Sequence, residues 1–430
     1  MRILIVNQAL DDGGVATYAT ELIKCLSEDY ELIVVVPDDS KRPIRIEGVK
    51  VLYHDSNDLS KENALTFIRL INEEVMPDIV ISSWAIIIPV IAPFINNNIR
   101  IITVSHSGKL FASEYSTFNY KYTDTIIAAS SDYNKQYLEK KYHIKDKSKI
   151  KVVYNSIESN PEIEALRLKK KESEIIQIIY AGGTLPAKNP DLVLKILCEL
   201  IKTNVNFKFY WTSGTKLPIP KKLFGVFKLN DVRQYLQHDD RIIFPGRIES
   251  RDDFVRLVSS SNILISPSRT EGCSMLLLQA LRSGSICLVS DELNGNREIV
   301  EDGNCGFVLD HRSPKAFAQK LVEIISNPAD YAQLYDNAYN TYQQKFTYQV
   351  WKENLSVVMN EDFNHAERKL KINSARLSYD LFRMKAFKKI CHYRRMVIFV
   401  VKSCAIFYLK YFKLKLKGDF PVKSKYGSMQ

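Results

Sequence analysis

An α/β chain built from two doubly wound (Rossmann-like) domains is the fold class that this sequence predicts, and three observations predict it. Short apolar runs of strand character alternate with longer, helix-patterned runs. The alternation halts in a polar, charged stretch near residue 160 and then restarts. The 430 residues also exceed what one core of ordinary size organises, and they suit two domains of about 150–200 residues each. Hydrophobic residues make up 46% of the chain, which provides for packed cores and excludes a disordered chain.

The first strand is RILIVN, residues 2–7, a short apolar run closed by a turn, as in a parallel strand buried on both faces. In DDGGVATYATELIKCL, which follows, the glycines make the turn, and Tyr18, Leu22 and Leu26 recur at helical spacing. YELIVVVP, PDIVISSW, RIITVSH, DTIIAAS and KIKVVYN supply further strands, with SKENALTFIRLINEE and DYNKQYLEKKY as helices between them. The first domain is therefore expected over residues 1–160. ESNPEIEALRLKKKESE, residues 158–174, has no strand pattern and reads as an interdomain linker, placed at 161–174.

The rhythm then restarts with IIQIIYAGG, PDLVLKILCELIKT, NFKFYWTSG, RIIFPG, RDDFVRLVSSS, NILISPS, SMLLLQALRSG, ICLVSD and GFVLD. Helices over 314–326 and 331–345 complete a second domain at 175–345. A closing helix is expected within 346–364, and a basic, aromatic-rich tail over 365–430. In open parallel sheets, ligands bind beyond the carboxyl ends of the strands. Two such domains facing each other would make a central cleft lined by loops.

The net charge of +11 is unevenly spread. From His365 onward there are 17 Lys and Arg against 3 acidic residues, whereas the preceding chain carries 43 against 46. The charge speaks for a partner of the tail, not for the chemistry of the body. Seven cysteines lie far apart with no Cys-x-x-Cys, which points to a reduced compartment and away from zinc. The start, MRILIVNQALDDGG, has too short an apolar run for a signal peptide, and no stretch reaches ~18 uncharged apolar residues. A cytoplasmic location is expected. The acidic pairs at 11–12, 38–39, 239–240 and 252–253 fall near turns or helix starts, where Asp is common for backbone reasons. No metal and no cofactor are expected.

The densest chemistry lies in SNILISPSRTEGCSMLLLQALRSG, residues 261–284. Glu271 falls in the loop between a strand and a helix, at the carboxyl edge of the sheet. Gly272 lets the backbone approach a ligand closely. The N–H groups of Cys273, Ser274, Met275 and Leu276 open the helix, and a helix start attracts anions, phosphate above all. Gln279 stands eight residues beyond Glu271, at most ~12 Å along a helix. That spacing suits an extended nucleoside diphosphate sugar, with Glu271 accepting from sugar hydroxyls and Gln279 holding the ribose. Spacing alone equally allows Glu271 as a helix cap and Gln279 as a partly exposed side chain.

PSRTEGCSMLLLQALRSGSICLVSD resembles the signature of the retaining nucleotide-sugar glycosyltransferases of the GT-B fold, family 4 or group 1 type. Their Glu-x7-Glu motif is matched by Glu271, with Gln279 in the place of the second glutamate. The resemblance extends in order to GG at 13–14, SH at 105–106, YN at 154–155, G…KN at 182–189 and FPGR at 244–247. It covers residues 1–345 and stops before the tail. It implies a GT-B architecture, with Glu271, His106 and Lys188 as the catalytic set. Gly13 and Gly14 would line the cleft from the first domain. His106 would touch the donor sugar, and Lys188 would pair with the diphosphate. Gly182, Gly272 and the helix start would surround that diphosphate.

Relatives usually place Arg directly after the glycine at 182, where this chain has Gly183. Arg247 or Arg269 is expected to supply the missing cation from a neighbouring loop. The resemblance thus implies transfer of a sugar, with retention, to a saccharide or lipid-linked acceptor in bacterial surface polysaccharide synthesis. The tail mixes cations with large apolar side chains, and an anionic membrane surface suits it better than nucleic acid. The enzyme is therefore expected at the inner face of the cell membrane. A hydrolysing nucleotide-sugar epimerase on the same fold and a non-catalytic, nucleotide-sugar-binding subunit remain open. A dehydrogenase is disfavoured, because no Gly-x-Gly-x-x-Gly follows the first strand.

Overall fold

In the computed structural model the chain forms two wholly parallel sheets. The structure describes residues 1–7, 13–37, 47–107, 110–129, 131–182, 186–212, 236, 238–246, 248–292, 294–361, 368 and 371–390. The first sheet has seven strands: β1 (Arg2–Asn7), β2 (Glu31–Val36), β3 (Lys50–Tyr53), β4 (Ile79–Ser83), β5 (Arg100–Ser105), β6 (Thr125–Ala128) and β7 (Ile150–Val152), in the order β3-β2-β1-β4-β5-β6-β7. The second has six: β8 (Ile176–Tyr180), β9 (Phe207–Thr212), β10 (Ile242–Gly246), β11 (Ile263–Ser266), β12 (Ile286–Ser290) and β13 (Gly306–Leu309), in the order β10-β9-β8-β11-β12-β13. Each order reverses once, between β1 and β4 and between β8 and β11, and the crevice at such a switch point is where this fold class binds ligands.

The apolar runs become central strands because both faces are covered. Ile3 to Val6, and Ile263 to Ile265, are fully buried. Helix Gly14–Ser27 lays Tyr18, Leu22 and Leu26 on one face of the first sheet, and helix Pro190–Leu200 buries Val193, Ile196 and Leu197 on the second. The helices expected at 314–326 and 331–345 span Pro314–Ser326 and Ala332–Lys345.

Two expectations need correction. Residues 161–174 are not a plain linker, for they contain the helix Pro161–Lys171. Asn160 caps it by accepting from the Ile163 N–H, Pro161 occupies its first turn, acids open it and Lys169 to Lys171 close it. Only Ile163 and Lys170 are buried, so no apolar stripe announced it. The Lys170 ammonium is satisfied inside by Ser283 O (2.8 Å), Ser283 Oγ (3.1 Å) and Ser285 Oγ (2.7 Å).

The second correction concerns the tail expected from residue 365. At its described positions it is part of the first domain. Arg368 is buried, pairs with Asp124 and donates to the Asn96, Ile99 and Tyr122 carbonyls. Residues 374–390 form a helix whose Leu377, Leu381 and Met384 enter the first domain's core. Residues 391–430 lie outside the described residues. Before this segment, helix Tyr348–Asn360 also returns to the first domain and buries Trp351, Leu355, Val358 and Met359 beside Tyr18.

Side chains tie the two domains together at several points. Glu298, on helix Gly295–Ile299 of the second domain, accepts from the Asp132 and Tyr133 N–H groups at 2.9 Å each. That carboxylate sits at the start of helix Asp132–Tyr142 of the first domain and also accepts from the Tyr154 hydroxyl at 3.1 Å. Buried Glu21 receives Arg251 (2.9 Å), the Tyr348 hydroxyl (2.6 Å) and the Glu158 N–H (3.1 Å).

Candidate functional site

The second-domain wall of the cleft is built from three strand exits. β11 ends at Ser266, and residues 267–274 lead into helix Met275–Arg282. Ser274 is its N-cap, with Oγ accepting from the Leu277 N–H at 3.4 Å. The helix thus begins beside Ser274, as the sequence led one to expect. Gly272, Cys273 and Ser274 precede it, and Met275 and Leu276 form its first turn. Glu271 does not cap it. Its carboxylate instead forms an ion pair with Lys188, which ends the short turn Pro186–Lys188 after β8.

Backbone contacts hold the two loops against each other and against their neighbours. The Arg269 N–H donates to the Ala187 carbonyl at 2.8 Å, and the Gly295 N–H donates to the Glu271 carbonyl at 3.2 Å. Ser290 Oγ (2.9 Å) and Asn294 Nδ2 (2.8 Å) both donate to the Ser268 carbonyl. From the first domain, Asn155 Nδ2 donates to the Cys273 carbonyl at 2.8 Å. Gly182 is packed against the Tyr180 ring, where a Cβ would lie 2.6 Å from the hydroxyl oxygen; that hydroxyl donates to the Lys188 carbonyl at 3.3 Å. A side chain at 182 would thus press on the group that positions the lysine loop.

Gln279 is 8% exposed, and its Oε1 is buried with no hydrogen-bond partner among the described residues. This overturns the reading of Gln279 as a partly exposed side chain. A buried amide oxygen with no partner costs about 1–3 kcal/mol, so it calls for an explanation, and a ligand hydroxyl is one. Burial pushes the Cys273 thiol up to about 12, which leaves it protonated and no nucleophile. Arg269 is exposed and its guanidinium has no partner among the described residues. Arg247 and Gly183 lie outside the described residues.

The first-domain candidates lie at the start of its first helix and at the ends of β4 and β5. Gly13 has φ of +94°, which strains any residue with a Cβ, and it leads into Gly14, the first residue of helix Gly14–Ser27. That helix carries Tyr18, whose ring meets His106 edge-on at 4.7 Å. His106 follows β5, and its Nε2 lies 3.1 Å from Ser83 Oγ at the end of β4. Burial lowers the His106 pKa to about 4, so the imidazole is neutral at physiological pH.

Sequence reasoning missed Trp84. It follows β4 in a left-handed conformation (φ +63°), packs edge-on against Tyr115 at 5.2 Å and lies 6.1 Å from His106. Only its place directly after a strand hinted at this position. Of the acidic pairs, Asp239 is paired with Arg241, and Asp252 and Asp253 open helix Arg251–Ser260. Among the described residues Asp291, Asp310 and His311 cluster at metal-ligand spacing, but His311 already donates its backbone N–H (2.8 Å) to Asp291 Oδ1, and its Nδ1 lies 2.6 Å from that same oxygen.

The structure therefore pairs Lys188 with Glu271 just before the helix that carries Gln279, and in the first domain it sets His106 against Tyr18 and Ser83, with Gly13 and Gly14 at the start of the helix that carries Tyr18. Comparison with known proteins identifies the family and the fold. The family described as "Glycosyl transferases group 1" matches residues 162–341, and "Glycosyltransferase Family 4" matches residues 12–160. An uncharacterised glycosyltransferase of Methanocaldococcus jannaschii is 25% identical over 335 residues, covering 73% of this chain and 85% of its own length. An Escherichia coli UDP-Gal:alpha-D-GlcNAc-diphosphoundecaprenol alpha-1,3-galactosyltransferase is 24% identical, covering 52% of this chain and 56% of its own. In fold, the chain is similar to Anabaena HepE in complex with UDP and glucose, with a TM-score of 0.64, 16% identity, and coverage of 84% of this chain and 100% of that one. It is similar too to the lipopolysaccharide outer core galactosyltransferase WaaB, with a TM-score of 0.60, 20% identity, and coverage of 84% and 99%.

Proposed function

Because the chain belongs to the group 1 glycosyltransferases, with a family 4 domain at its N-terminal side, we propose that it moves a sugar from a nucleoside diphosphate sugar to a hydroxyl of a lipid-linked saccharide, with retention at the anomeric carbon. The observation that carries this reading is the Lys188–Glu271 ion pair beside the start of helix Met275–Arg282. A diphosphate competes with Glu271 for the ammonium. Once it holds Lys188, the carboxylate is released to accept from sugar hydroxyls. The oxygen of Gln279 then takes a ribose hydroxyl. In the transfer, the bond from the anomeric carbon to the phosphate oxygen breaks and a bond to the acceptor oxygen forms. Negative charge grows on the departing diphosphate, where Lys188, once drawn from Glu271, and the fixed dipole of the helix start would stabilise it. His106, kept neutral by burial, acts as a hydrogen-bonding group to the sugar and not as a cation.

A UDP-sugar is the donor to test first, since similar structures bear UDP and UDP-glucose. The lipid-linked acceptor is supported by the diphosphoundecaprenol in the E. coli relative's name, and a role in bacterial surface polysaccharide synthesis is proposed in keeping with the similarity to the lipopolysaccharide outer core galactosyltransferase WaaB. Work at the inner face of the cell membrane is part of the proposal; no described helix is long and apolar enough to cross a membrane.

The test is a panel of nucleotide sugars scored for thermal stabilisation of the protein, followed by a transfer assay with the best binder and NMR of the product's anomeric configuration. A stabilising nucleotide sugar, transfer to an acceptor and a retained configuration are expected. Release of free or epimerised sugar without acceptor would replace the transfer reading with that of a hydrolysing epimerase. Binding without turnover on any acceptor would make the chain a non-catalytic subunit.

A further inference from the structure

We infer that the outer face of the helix at 374–390 is the surface by which this protein lies on an anionic membrane, with the cleft held at the membrane's edge. The helix is amphipathic twice over. Asn373 starts it by accepting from the Arg376 N–H at 3.0 Å. Its inner face plants Leu377, Leu381 and Met384 in the first domain's core. Its outer face, offset by half a turn, recurs at 379, 382, 386 and 390, which is helical spacing. There Tyr379, Phe382 and Ile390 are 57%, 67% and 53% exposed. Ten large hydrophobic side chains are exposed among the described residues, and four of them, these three and Ile372, fall in this one segment. The concentration sets the segment apart from ordinary scattered surface leucines.

Charge chooses the occupant. Residues 371–390 hold six cations and one acid. The acid, Asp380, is buried between Arg376 at 2.6 Å and Arg383 at 3.9 Å and offsets one of these cations, so the segment keeps a strong positive excess. Arg383, Lys385 and Lys389 are exposed around the apolar stripe. An apolar face rimmed by cations suits the interface of an anionic bilayer, where each cation is worth ~1 kcal/mol. A second copy of the same basic face would be repelled, and a nucleic acid would leave Tyr379, Phe382 and Ile390 in water.

The direction of the helix gives the placement meaning. Arg376 lies over the Tyr122 ring at 5.7 Å, Arg383 over Phe118 at 5.0 Å, and Arg383 also acts on Glu114. The helix thus runs back along helix Leu110–Thr117, from its far end toward the end that follows β5 and His106 at the cleft. Membrane contact along this line brings the first-domain wall to the lipid surface. That is where a lipid-carried acceptor would be met, and the inference deepens the acceptor reading above and rests on it for its purpose.

The test uses the full chain with vesicles of phosphatidylcholine alone and of phosphatidylcholine with phosphatidylglycerol. Co-sedimentation with the anionic vesicles only is expected. Combining Tyr379→Ser, Phe382→Ser, Lys385→Glu and Lys389→Glu should weaken it by about tenfold or more. In the separate Phe382→Trp variant, emission should shift to the blue and be quenched by brominated lipid on vesicle binding. Undiminished binding of the four-site variant would assign the membrane to residues 391–430 and overturn the inference, as would an unmoved spectrum of Phe382→Trp. Stabilisation of the four-site variant by nucleotide sugar should match the unaltered protein. Failure at the membrane is thereby kept distinct from failure of the transferase reading.

Discussion

At the scale of single residues, the account turns on a few side chains whose partners are known. Gln279 has a buried, unpartnered oxygen, so Gln279→Leu should raise thermal stability slightly while weakening nucleotide-sugar binding about tenfold, measured by calorimetry. Gln279→Glu should bind at least as well as the unaltered protein, because a carboxylate accepts from two ribose hydroxyls. His106 gives a pH prediction. Its folded pKa lies near 4, below the ordinary value of about 6.5. The folded state resists protonation, so the stability tied to neutral His106 is complete above about pH 6.5 and is lost as pH falls toward 4, by at most about 1.4 kcal/mol per unit. His106→Asn should flatten that part of the stability profile in denaturant titrations. Between pH 6 and 8 kcat/KM should carry no inflection from this residue. Lys188, Glu271 and Gln279 were legible by position, but their relations were not. An ion pair across 83 residues, and an amide oxygen left without a partner, are facts of packing.

At the scale of elements, the helix Met275–Arg282 carries the heaviest load, and Ser274 fixes where it begins. Ser274→Ala should cost about 1 kcal/mol of stability in thermal unfolding and loosen the donor's diphosphate site without abolishing the fold. Strands were readable where burial on both faces writes a continuous apolar run, whereas the edge strand β3, exposed or half-buried along its length, carries no such run and was not expected. Helix Pro161–Lys171 was not readable as one, since caps, Pro161 and charge order define it while its buried side includes a lysine. The helix at 374–390 was hidden for a related reason. Its cations and aromatic residues mask an inner stripe of Leu377, Leu381 and Met384.

At the scale of the whole molecule, the two domains were legible as a repeated rhythm, whereas the ties between them were not. Glu298 holds the start of helix Asp132–Tyr142, and Glu21 gathers Arg251, Tyr348 and the Glu158 backbone. Each tie joins residues more than a hundred positions apart, with no local pattern. Glu298→Ala removes the acceptor of two N–H groups and a hydroxyl; small-angle scattering should then give a larger radius of gyration while each domain keeps its core. An unchanged radius would reduce Glu298 to a surface contact. The central claim is that Lys188 grips a diphosphate and, in doing so, frees Glu271 for the sugar. The direct measurement is calorimetry of UDP and of the best UDP-sugar with Lys188→Met, Glu271→Gln and the double variant. Lys188→Met should weaken both ligands by about 1.5–3 kcal/mol, whereas Glu271→Gln should weaken only the UDP-sugar and leave UDP unchanged or tighter. UDP binding to Lys188→Met at the unaltered affinity would contradict the account.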